Sequence, residues 1–431
     1  MMSDLRSTVA RGLMAAAVRM FGGSKNSSLI GLLGGGSLTS SGISVTPDSA
    51  LRQATVGACV RLLSETIASL PVYLYVHRND GGKDKVRDHA LHDILHNRPN
   101  GWLSPFEYLE GSSVNLLTRG NSYSWIERNP RGQLLNLIPL DPDGVDIERA
   151  DDYGPAYEVT MPDGERLKVS RKELHHVRGP LPKDYKGQSI VTLFREAIAS
   201  TLGGEQFIAS LWKNGVMPSG ALKTQGELSD KAINRLRKQF SERYGGAANT
   251  GKPLVLEEGM DWVKLSLNPV DAQFIDVMRL RRSEIAAIWR VPPHLVGDLE
   301  RATFSNIEQM SLEFVIYSLR PWLKRIEQAM NRDLLTEAER RQGLHLKFNV
   351  DALLRGDFKS RMDGYATGRQ WGWLSRNEVR TMENMNPIAD GDDYLTPLNM
   401  TVGQQIDEML KSRGASPDTA QAVLEKLRTQ D

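Results

Sequence analysis

The sequence predicts an α+β fold in which two long helices carry a small α/β insert between them. Apolar residues at helical spacing cover 190–212 and 271–290. The segment 218–265 between them contains a strand pattern, a helix pattern and two further strand patterns, PLVLE and DWVKL. Five short strand patterns bounded by Gly, Pro, Asn or Asp fill 122–170: SYSWIER, LLNLIPL, GVDIER, AYEVTM and ERLKVS. Because both long helices adjoin the insert, we expect it to stand as a cap on a helical pair.

Residues 271–335 contain two long helical patterns separated by one abrupt interruption. Pro292-Pro293 ends the first pattern near Arg290, because a proline pair removes two donors and disfavours helical backbone before it. A capping box, Ser305-x-x-Glu308, starts the second pattern. We therefore expect a loop of roughly a dozen residues between two helices. A loop held between two long helices can be presented to another molecule that moves past it.

Two of the long helices contain residues that disfavour a helix. Pro321 lacks the N–H that would bond to the carbonyl of Tyr317, so we expect a bend there. The adjacent pair Gly203-Gly204 costs roughly 2 kcal/mol relative to alanines. Close packing of these glycines against a neighbour would offset that cost.

Helices and strands are also predicted on either side of this central part. Helical spacing covers 51–70 and 105–118, and Pro71 ends the first of these before the strand VYLYV. Near the other end, the strand LHLKFNV precedes a helix over 351–370 and a short helix over 375–383. Ser375 and Glu378 form a capping box for that short helix.

The composition is that of a globular protein with two to four core-bearing modules. The 431 residues are 40% hydrophobic and 25% charged, and 54 Lys and Arg against 53 Asp and Glu leave a net charge of +1. No global basic field therefore draws the chain to nucleic acid or anionic membranes. The single cysteine, Cys59, excludes an internal disulfide and a cysteine-built zinc site, and we expect it to be an inert core residue.

The two ends are predicted to be mobile, and no membrane segment is expected. No apolar run approaches the ~18 residues that span a bilayer. Residues 1–48 are an amphipathic stretch followed by a Gly-, Ser- and Thr-rich segment, so we expect a flexible arm. Two weak helical patterns, 402–412 and 417–428, predict a mobile tail.

Two side-chain clusters invite a metal-site interpretation, and we favour a structural one for each. His89, His92 and His96 repeat along a short helix without a carboxylate placed beside them, which favours a solvated helix. Asp141, Asp143 and Asp146 lie in an LDPDGVD turn, where aspartates hydrogen-bond the backbone without any ion.

The segment from Gly246 to Lys252 matches the glycine and lysine spacing of a phosphate-binding loop. Its context differs, because Pro253 stands where a Ser or Thr hydroxyl should bind magnesium. The loop also follows a helix and enters a strand, the reverse of the order that aims backbone amides at phosphates. The sequence therefore disfavours nucleotide binding here.

The chain resembles the HK97-type portal proteins of tailed bacteriophages across roughly residues 45–400. The resemblance is carried by many blocks in one order: ACVRLLSETIASLPVYLY, HDILHNRPNGWLSPFEYLE, GNSYSWIER, PLDPDGV, NGVMPSGAL, GKPLVLEEGMDW, DAQFIDVMRLRRSEIAAIWRVPPHLVGDLERATFSNIEQMSLEFV and FNVDALLRGDFKSR. It implies a ring, usually of twelve subunits, at one capsid vertex, through which double-stranded DNA is packaged and later leaves. It implies no catalytic site and no cofactor.

The resemblance also implies a division of the chain into portal domains. These are a flexible arm (1–48), a wing (49–187 and 305–350, the latter a kinked helix and a strand), stem helices (188–215 and 269–292), a clip (216–268), a tunnel loop (293–304), a crown (351–400) and a mobile tail (401–431).

Two sets of site residues follow from the same resemblance. The candidate channel-lining residues are His294, Asp298, Leu299, Glu300, Arg301, Ala302 and Thr303. The candidate partner-docking residues of the clip are Arg235, Lys238, Arg243 and Lys252. The implied partners are further copies of the chain, double-stranded DNA, the terminase large subunit, head-tail connector proteins and the major capsid protein. The implied location is the virion, and the host cytoplasm during assembly.

Two other classes of function compete with this interpretation. The Gly246 to Lys252 segment suggests an ATP-driven enzyme of the packaging motor. A sequence-specific DNA-binding regulator is disfavoured, because the sequence has no basic recognition helix and no cluster of Lys and Arg.

Overall fold

The computed structural model describes residues 39–78, 81–161, 163–213, 220–223, 229–244, 260–264, 270–297, 310, 312–350, 353, 358–383 and 385–395. The chain divides into two compact units, Met1–Val350 and Asp351–Asp431. None of the helices within the described ranges combines the length and apolar character needed to cross a bilayer. Residues 1–38 of the predicted arm (1–48) and the whole predicted tail (401–431) lie outside these ranges. The described end of the arm is packed on the fold rather than free, since Thr39 and Val45 are buried.

The first unit begins with two helices, α1 (Pro47–Leu51) and α2 (Ala54–Ser69). The sequence predicted one helix over 51–70, and the break arises because the Gln53 side chain caps the N–H of Val56. Helix α2 buries Val56, Cys59 and Leu63 completely. Cys59 is thus the core residue that was expected, and burial raises the pKa of its thiol to about 12.

A three-stranded sheet joins the two ends of this unit. It consists of β1 (Val72–His77), β2 (Lys83–Lys85) and β11 (Leu344–Phe348), all antiparallel, with β1 in the centre. Val72 faces Phe348 across the first pair and Tyr75 faces Lys85 across the second. The strands predicted from VYLYV and LHLKFNV are confirmed, and a pairing about 270 residues apart in sequence holds the ends together.

Two helices, α3 (Ala90–His96) and α4 (Pro105–Arg119), follow β2. The α4 helix was predicted over 105–118, and a capping box between Ser104 and Glu107 starts it. It ends at Gly120, whose positive φ of 77° is the left-handed conformation that glycine adopts without strain. Leu116 and Leu117 are buried on its core face.

Two further antiparallel sheets follow α4. The second sheet has the order β4 (Leu134–Leu140), β3 (Asn121–Arg128), β8 (Leu174–Arg178), and the third has β5 (Val145–Arg149), β6 (Pro155–Thr160), β7 (Arg166–Val169). A separate apolar cluster that includes Tyr123, Leu140, Tyr157 and Val169 lies between them. Five of these strands were predicted and β8 was not.

The first long helix is interrupted near its start. The sequence predicted a continuous helix over 190–212, whereas the structure has α5 (Ile190–Leu193) and α6 (Arg195–Lys213), with Phe194 outside helical geometry at ψ 21°. A Cβ added at Gly203 would lie 3.1 Å from Cδ1 of Ile43. The close packing expected at Gly203 is therefore confirmed.

The insert and the second long helix follow α6. Strand β9 (Gly220–Lys223), helix α7 (Asp230–Tyr244) and strand β10 (Asp261–Lys264) form the described part of the insert, and β9 pairs with β10. Helix α8 (Val270–Ile288) confirms the second long pattern. The strand predicted from PLVLE and the segment from Gly246 to Lys252 lie outside the described residues.

The rest of the first unit returns the chain to the sheet. A π-helix (Phe314–Leu319) leads into α9 (Arg320–Asp333), and a short helix, α10 (Glu337–Arg341), precedes β11. The capping box predicted at Ser305 lies outside the described residues. The sequence interpretation missed α10, although Thr336 and Glu339 form a capping box for it.

The second unit contains two described helices, α11 (Phe358–Gln370) and α12 (Arg376–Met382). The predicted capping box is confirmed, since the Ser375 hydroxyl accepts from the N–H of Glu378 at 3.1 Å. The Glu378 carboxylate in turn accepts from the N–H of Ser375 at 2.7 Å. Residues 386–395 form a loop.

Candidate functional site

The exit of helix α8 is anchored in the main core. Ile285 and Ala286 are fully buried, and Trp289 is 1% exposed. The indole Nε1 of Trp289 donates to the carbonyl oxygen of Leu117 at 3.2 Å, which ties this helix end to α4. A buried indole that also satisfies its N–H fixes both the position and the rotation of the helix end.

The chain reverses immediately after this anchor. Arg290 adopts a left-handed conformation with φ 57°, and the N–H of Val291 donates to the carbonyl of Ala286 at 2.9 Å. A 3₁₀ turn (Pro293–Val296) follows and ends at Gly297, where φ is 89°. The proline pair therefore ends the helix near Arg290 as predicted, and two left-handed residues aim the chain into the segment after 297.

The structure describes one of the seven candidate channel-lining residues. His294 lies half-buried in the 3₁₀ turn, and neither of its ring nitrogens has a hydrogen-bond partner among the described residues. The other six candidates lie outside the described residues: Asp298, Leu299, Glu300, Arg301, Ala302 and Thr303. The structure thus shows how the loop begins.

The returning helix is tied to the same reversal. The Ser318 hydroxyl in the π-helix donates to the carbonyl of Arg290 in a very short contact. The N–H of Arg320 donates to the carbonyl of Val315, five residues back, instead of four. Pro321 follows directly in the first turn of α9. The sequence predicted a bend at Pro321, and the structure shows a wider helical turn in the residues directly before it.

A buried polar network joins the end of α9 to β8. Oδ2 of Asp333 accepts from Nδ1 of His175 at 3.0 Å and from the backbone N–H of His176 at 3.1 Å, while Arg332 donates to both carboxylate oxygens. Burial alone would raise the pKa of Asp333. The hydrogen bonds from His175 and Arg332 outweigh burial and hold that pKa at about 2.

The neighbouring imidazole, His176, is held in its neutral form. Oδ1 of Asn121 accepts from the N–H of Gly187 at 2.8 Å, so it also accepts from Nε2 of His176, 3.1 Å away. Nδ1 of His176 then accepts from the Tyr157 hydroxyl at 3.1 Å. Burial, followed by the charges of Arg178 and Arg332, lowers the pKa of His176 to about 2.

Arginines also cap the carbonyl end of α9. Arg128 donates to the carbonyls of Asp333 and Leu334, and Arg340 donates to those of Asn331, Arg332 and Leu335. Cations at this end of a helix oppose its negative dipole. A cleft of about 1120 Å³ opens beside them, and its walls include Trp125, Arg128, Lys172, Arg178, Arg332 and Arg340.

The three histidines of the metal hypothesis do not converge. Nδ1 of His89 accepts from the N–H of Leu91 and its Nε2 lies 2.9 Å from Glu339. The rings of His92 and His96 stack face to face with centroids 4.3 Å apart. Over the part of the chain that the structure describes, no group of three or more His, Cys, Asp or Glu side chains could hold a metal ion.

The aspartate-rich turn is a structural turn. Asp141 accepts from the N–H of Asp143 at 3.0 Å, and a 3₁₀ turn (Pro142–Gly144) follows. Asp143 pairs with Arg119 at 2.9 Å, and Asp146 lies 3.7 Å from Lys186. Backbone capping and two ion pairs therefore account for these carboxylates, as the sequence interpretation predicted.

Two of the candidate clip residues are displayed on helix α7. Arg235 and Lys238 are exposed and three positions apart, so they share one face of the helix. Arg243 lies on the last turn of the same helix. Lys252 lies outside the described residues. The helix therefore presents a basic face over at least one turn.

Comparison with known proteins identifies the family. The family model described as "Phage portal protein" matches residues 54–384, which include α2, the four sheets of the described part of the first unit and the reversal after Trp289. The chain belongs to the phage portal protein family. Portal proteins are structural proteins that form a ring at the capsid vertex in phages and gene transfer agent particles.

Individual relatives give the same result. The chain is 33% identical over 384 residues to the probable portal protein of Streptomyces phage phiC31, covering 86% of this chain and 83% of that protein. It is 30% identical over 354 residues to the portal protein of Enterobacteria phage HK97, covering 81% and 82%. These matches support a structural portal and give no support to the ATP-driven motor enzyme.

A solved structure supports the fold. The chain matches a protein in a structure of the neck of an empty gene transfer agent particle, which was computed with C6 symmetry. The TM-score of this match is 0.56 and the sequence identity is 24%. The match covers 79% of this chain and 94% of that one. The predicted α+β portal fold is therefore confirmed.

Proposed function

We propose that the chain assembles as a homo-oligomeric ring at one vertex of a phage capsid and forms the channel for packaging and ejection of double-stranded DNA. The observation that carries this proposal is the family match over residues 54–384, which spans both long helices and the reversal between α8 and α9. Such a ring is built from heterologous contacts, in which one face of each subunit meets a different face of the next.

The domain assignment is part of the proposal. We assign the wing to 49–187 and 305–350, the stem to 188–215 and 269–292, the clip to 216–268 and the crown to 351–400. In support, α6 and α8 flank the paired strands β9 and β10, as a stem that carries a clip requires. The arm over 1–48 and the tail over 401–431 complete the chain.

The tunnel loop is assigned to 293–304. Trp289 fixes the end of the stem helix, and Ser318 ties the returning helix to Arg290, so the helices on the two sides of the loop are joined at Arg290. We propose His294, Glu300 and Arg301 among the residues that line the channel.

The near-zero net charge suits a conduit. Each phosphate that a protein neutralises strengthens DNA binding and makes it more salt-dependent. With 54 basic against 53 acidic side chains, the chain can place DNA in a channel without holding it through many phosphate contacts. Mixed charges such as Glu300 and Arg301 at the loop fit the same requirement.

The clip is proposed to dock other proteins of the assembly. Arg235 and Lys238 display positive charge on α7, and Arg243 and Lys252 are proposed to extend this face. The partners proposed are the terminase large subunit during packaging and head-tail connector proteins afterwards. The wing is proposed to meet the major capsid protein, and assembly takes place in the host cytoplasm.

Electron microscopy of the purified full-length protein tests the ring. Class averages should show rotational symmetry and a central hole, and native mass measurement should show one closed oligomer, for which we expect twelve subunits. Only monomers and dimers over a range of salt and protein concentrations, with and without capsid protein, would overturn the proposal.

A loop deletion tests the channel assignment separately. Removing Glu300 to Thr303 should leave ring assembly intact and impair DNA packaging or retention. A second variant, which reverses the charge of Arg235 and Lys238 on the clip, tests docking separately, because it should weaken terminase binding and spare both the ring and the loop. If the loop deletion prevents ring formation, the loop is an assembly element and the channel assignment is wrong.

A further inference from the structure

The outward face of the sheet formed by β2, β1 and β11 has an unusual composition. Alternate residues of β1 point to opposite faces, so Val72 and Leu74 enter the core while Tyr73, Tyr75 and His77 lie on the other face. The register places a lysine or histidine opposite each of these three: Lys347, Lys85 and His345, and Lys83. This outward face, with His92 and His96 of α3 beside it, is called the lysine–aromatic face below.

Six rings form one continuous row along the lysine–aromatic face. Successive centroid distances are 4.3 Å for His92–His96, 5.2 Å for His96–Tyr73, 6.2 Å for Tyr73–Tyr75, 5.7 Å for Tyr75–His345 and 4.3 Å for His345–His77. The Nζ atoms of Lys85 and Lys83 lie 3.9 Å and 4.8 Å from the ring centres of Tyr73 and Tyr75. These cation–π contacts hold the two ammonium groups close to the surface of the sheet.

The face is positive because its strands place no carboxylate on it. Asp84 is the single acidic residue in these three strands. It pairs across the sheet with Val76 and therefore points to the opposite face, where its carboxylate lies 3.5 Å from Arg78. Lys83, Lys85 and Lys347 are exposed, so a partner can reach their side chains.

Lysines, rather than His96 and His345, carry this charge at neutral pH. Burial, and then the nearby His92, lowers the pKa of His96. Burial, with His77 and Lys83 nearby, likewise lowers the pKa of His345. Both rings are therefore neutral at neutral pH, and they serve as an uncharged floor between the ammonium groups.

An acidic polypeptide fits this face better than a nucleic acid does. The rings of Tyr73 and Tyr75 are covered by ammonium groups, so they are not free to stack on bases, which single-stranded nucleic acid requires. Three cations would contact few phosphates of a duplex and give weak, salt-labile binding. Lys83 and Lys85 stand two residues apart on one strand, roughly 7 Å, the spacing of alternate carboxylates in an extended chain.

We propose that the lysine–aromatic face is a docking surface for an extended acidic segment of a partner protein. Carboxylates of the segment pair with Lys83, Lys85 and Lys347, and its backbone follows the direction of β2. This surface lies on β1, β2 and β11, whereas the candidate clip residues lie on α7. If this docking proposal fails, the assignment of the chain as a portal protein is unaffected.

The test compares two triple variants of the full-length protein. The first carries Lys83→Gln, Lys85→Gln and Lys347→Gln. The matched control carries Lys172→Gln, Lys183→Gln and Lys231→Gln, which removes the same charge from exposed lysines elsewhere. A fluorescent oligoglutamate peptide and a short DNA duplex are titrated against both variants and the wild-type protein by fluorescence anisotropy, at low and at physiological salt.

We expect the first variant to bind oligoglutamate about tenfold more weakly than the wild type, because three exposed ion pairs are lost. The control should change this affinity by less than about twofold. Equal loss in both variants would overturn the proposal, since net charge alone would then explain binding. So would tighter binding of the duplex with loss in the first variant, which would make the face a nucleic-acid surface.

The same variants also test whether the lysines have a structural role instead of a docking role. β2 and β11 are the edge strands of the sheet, and exposed lysines on edge strands prevent pairing with other chains. If the first variant aggregates or self-associates while its affinity for oligoglutamate is unchanged, the lysines protect the edges and the docking proposal is wrong. Light scattering of both variants supplies this measurement.

Discussion

Oδ2 of Asp333 lies 3.0 Å from Nδ1 of His175, and both side chains are almost fully buried. Asp333 is the last residue of α9 and His175 is the second of β8. The contact therefore joins the returning helix to the second sheet. Because the helix begins beside the reversal after Trp289, this pair fixes the far end of the element that holds the candidate tunnel loop.

The first prediction concerns this pair. Asp333→Asn removes a buried charge that receives hydrogen bonds from His175, His176 and Arg332, so it should lower the free energy of unfolding by about 3 kcal/mol. The control Asp84→Asn breaks an exposed pair with Arg78 and should cost less than about 1 kcal/mol. Urea unfolding followed by tryptophan fluorescence measures both. Similar losses would show that the network adds nothing beyond a surface pair.

The second prediction is a pH dependence that arises from His176. Its pKa is about 2 in the folded chain and about 6.5 when unfolded, so the unfolded chain binds an additional proton between these values. Stability therefore falls as pH decreases below about 6.5, by up to about 1.4 kcal/mol for each pH unit. His176→Gln should flatten this slope between about pH 6 and 5. An unchanged slope in the variant would assign the proton uptake to another group.

The third prediction concerns three glycines at which separate segments meet. A Cβ added at Gly187 would lie 2.2 Å from the carbonyl oxygen of Gly120 and 2.3 Å from the N of Gly179. Gly187→Ala should therefore destabilise the first unit by about 1–3 kcal/mol. Gly111→Ala is the control, because its Cβ would meet no atom within 4 Å, and alanine should stabilise α4 by about 0.5–1 kcal/mol. The two thermal midpoints should shift in opposite directions.

Much of the fold could be predicted because its signals are local. The spacing of apolar residues predicted α2, α4, α8 and α9. The capping box at Ser375 predicted α12 and the residue at which it starts. β8 was missed because four of its five residues are buried, so the strand lacks the alternation that marks a half-buried strand. α10 was missed because its EAERR sequence has no apolar face, and only the Thr336 capping box signals it.

The candidate site was less accessible to sequence reasoning, because it depends on contacts between distant residues. The Trp289 indole bonds to Leu117, and the Ser318 hydroxyl bonds to Arg290. Neither partner is marked by any pattern in the sequence. The proline pair gave the position of the reversal. The two contacts that hold it required the structure, and the channel-lining roles of His294 and residues 298–303 stay a prediction.

The fourth prediction concerns the π-helix beside that reversal. Pro321 cannot donate to the carbonyl of Tyr317, and the preceding turn is widened so that Arg320 donates five residues back to Val315. Pro321→Ala restores the missing N–H, so the segment Phe314–Leu319 should return to α-helical bonding. This change rotates the residues before it by about 100° relative to α9, because one residue is absorbed into the helix. The contact of Ser318 with the Arg290 carbonyl is then lost.

Two variants separate the effect of the turn from that of the hydroxyl. Ser318→Ala removes the contact with Arg290 and leaves Pro321 in place, so the π-helix should persist. A structure of each variant by electron microscopy reports the bonding pattern, and packaging of DNA reports the position of the loop. We expect Pro321→Ala to impair packaging more than Ser318→Ala, because only the former turns the helix that emerges from the loop. If Pro321→Ala keeps the π-helix, the wider turn is imposed by the packing of Phe314 and Leu319 in the core and not by the proline.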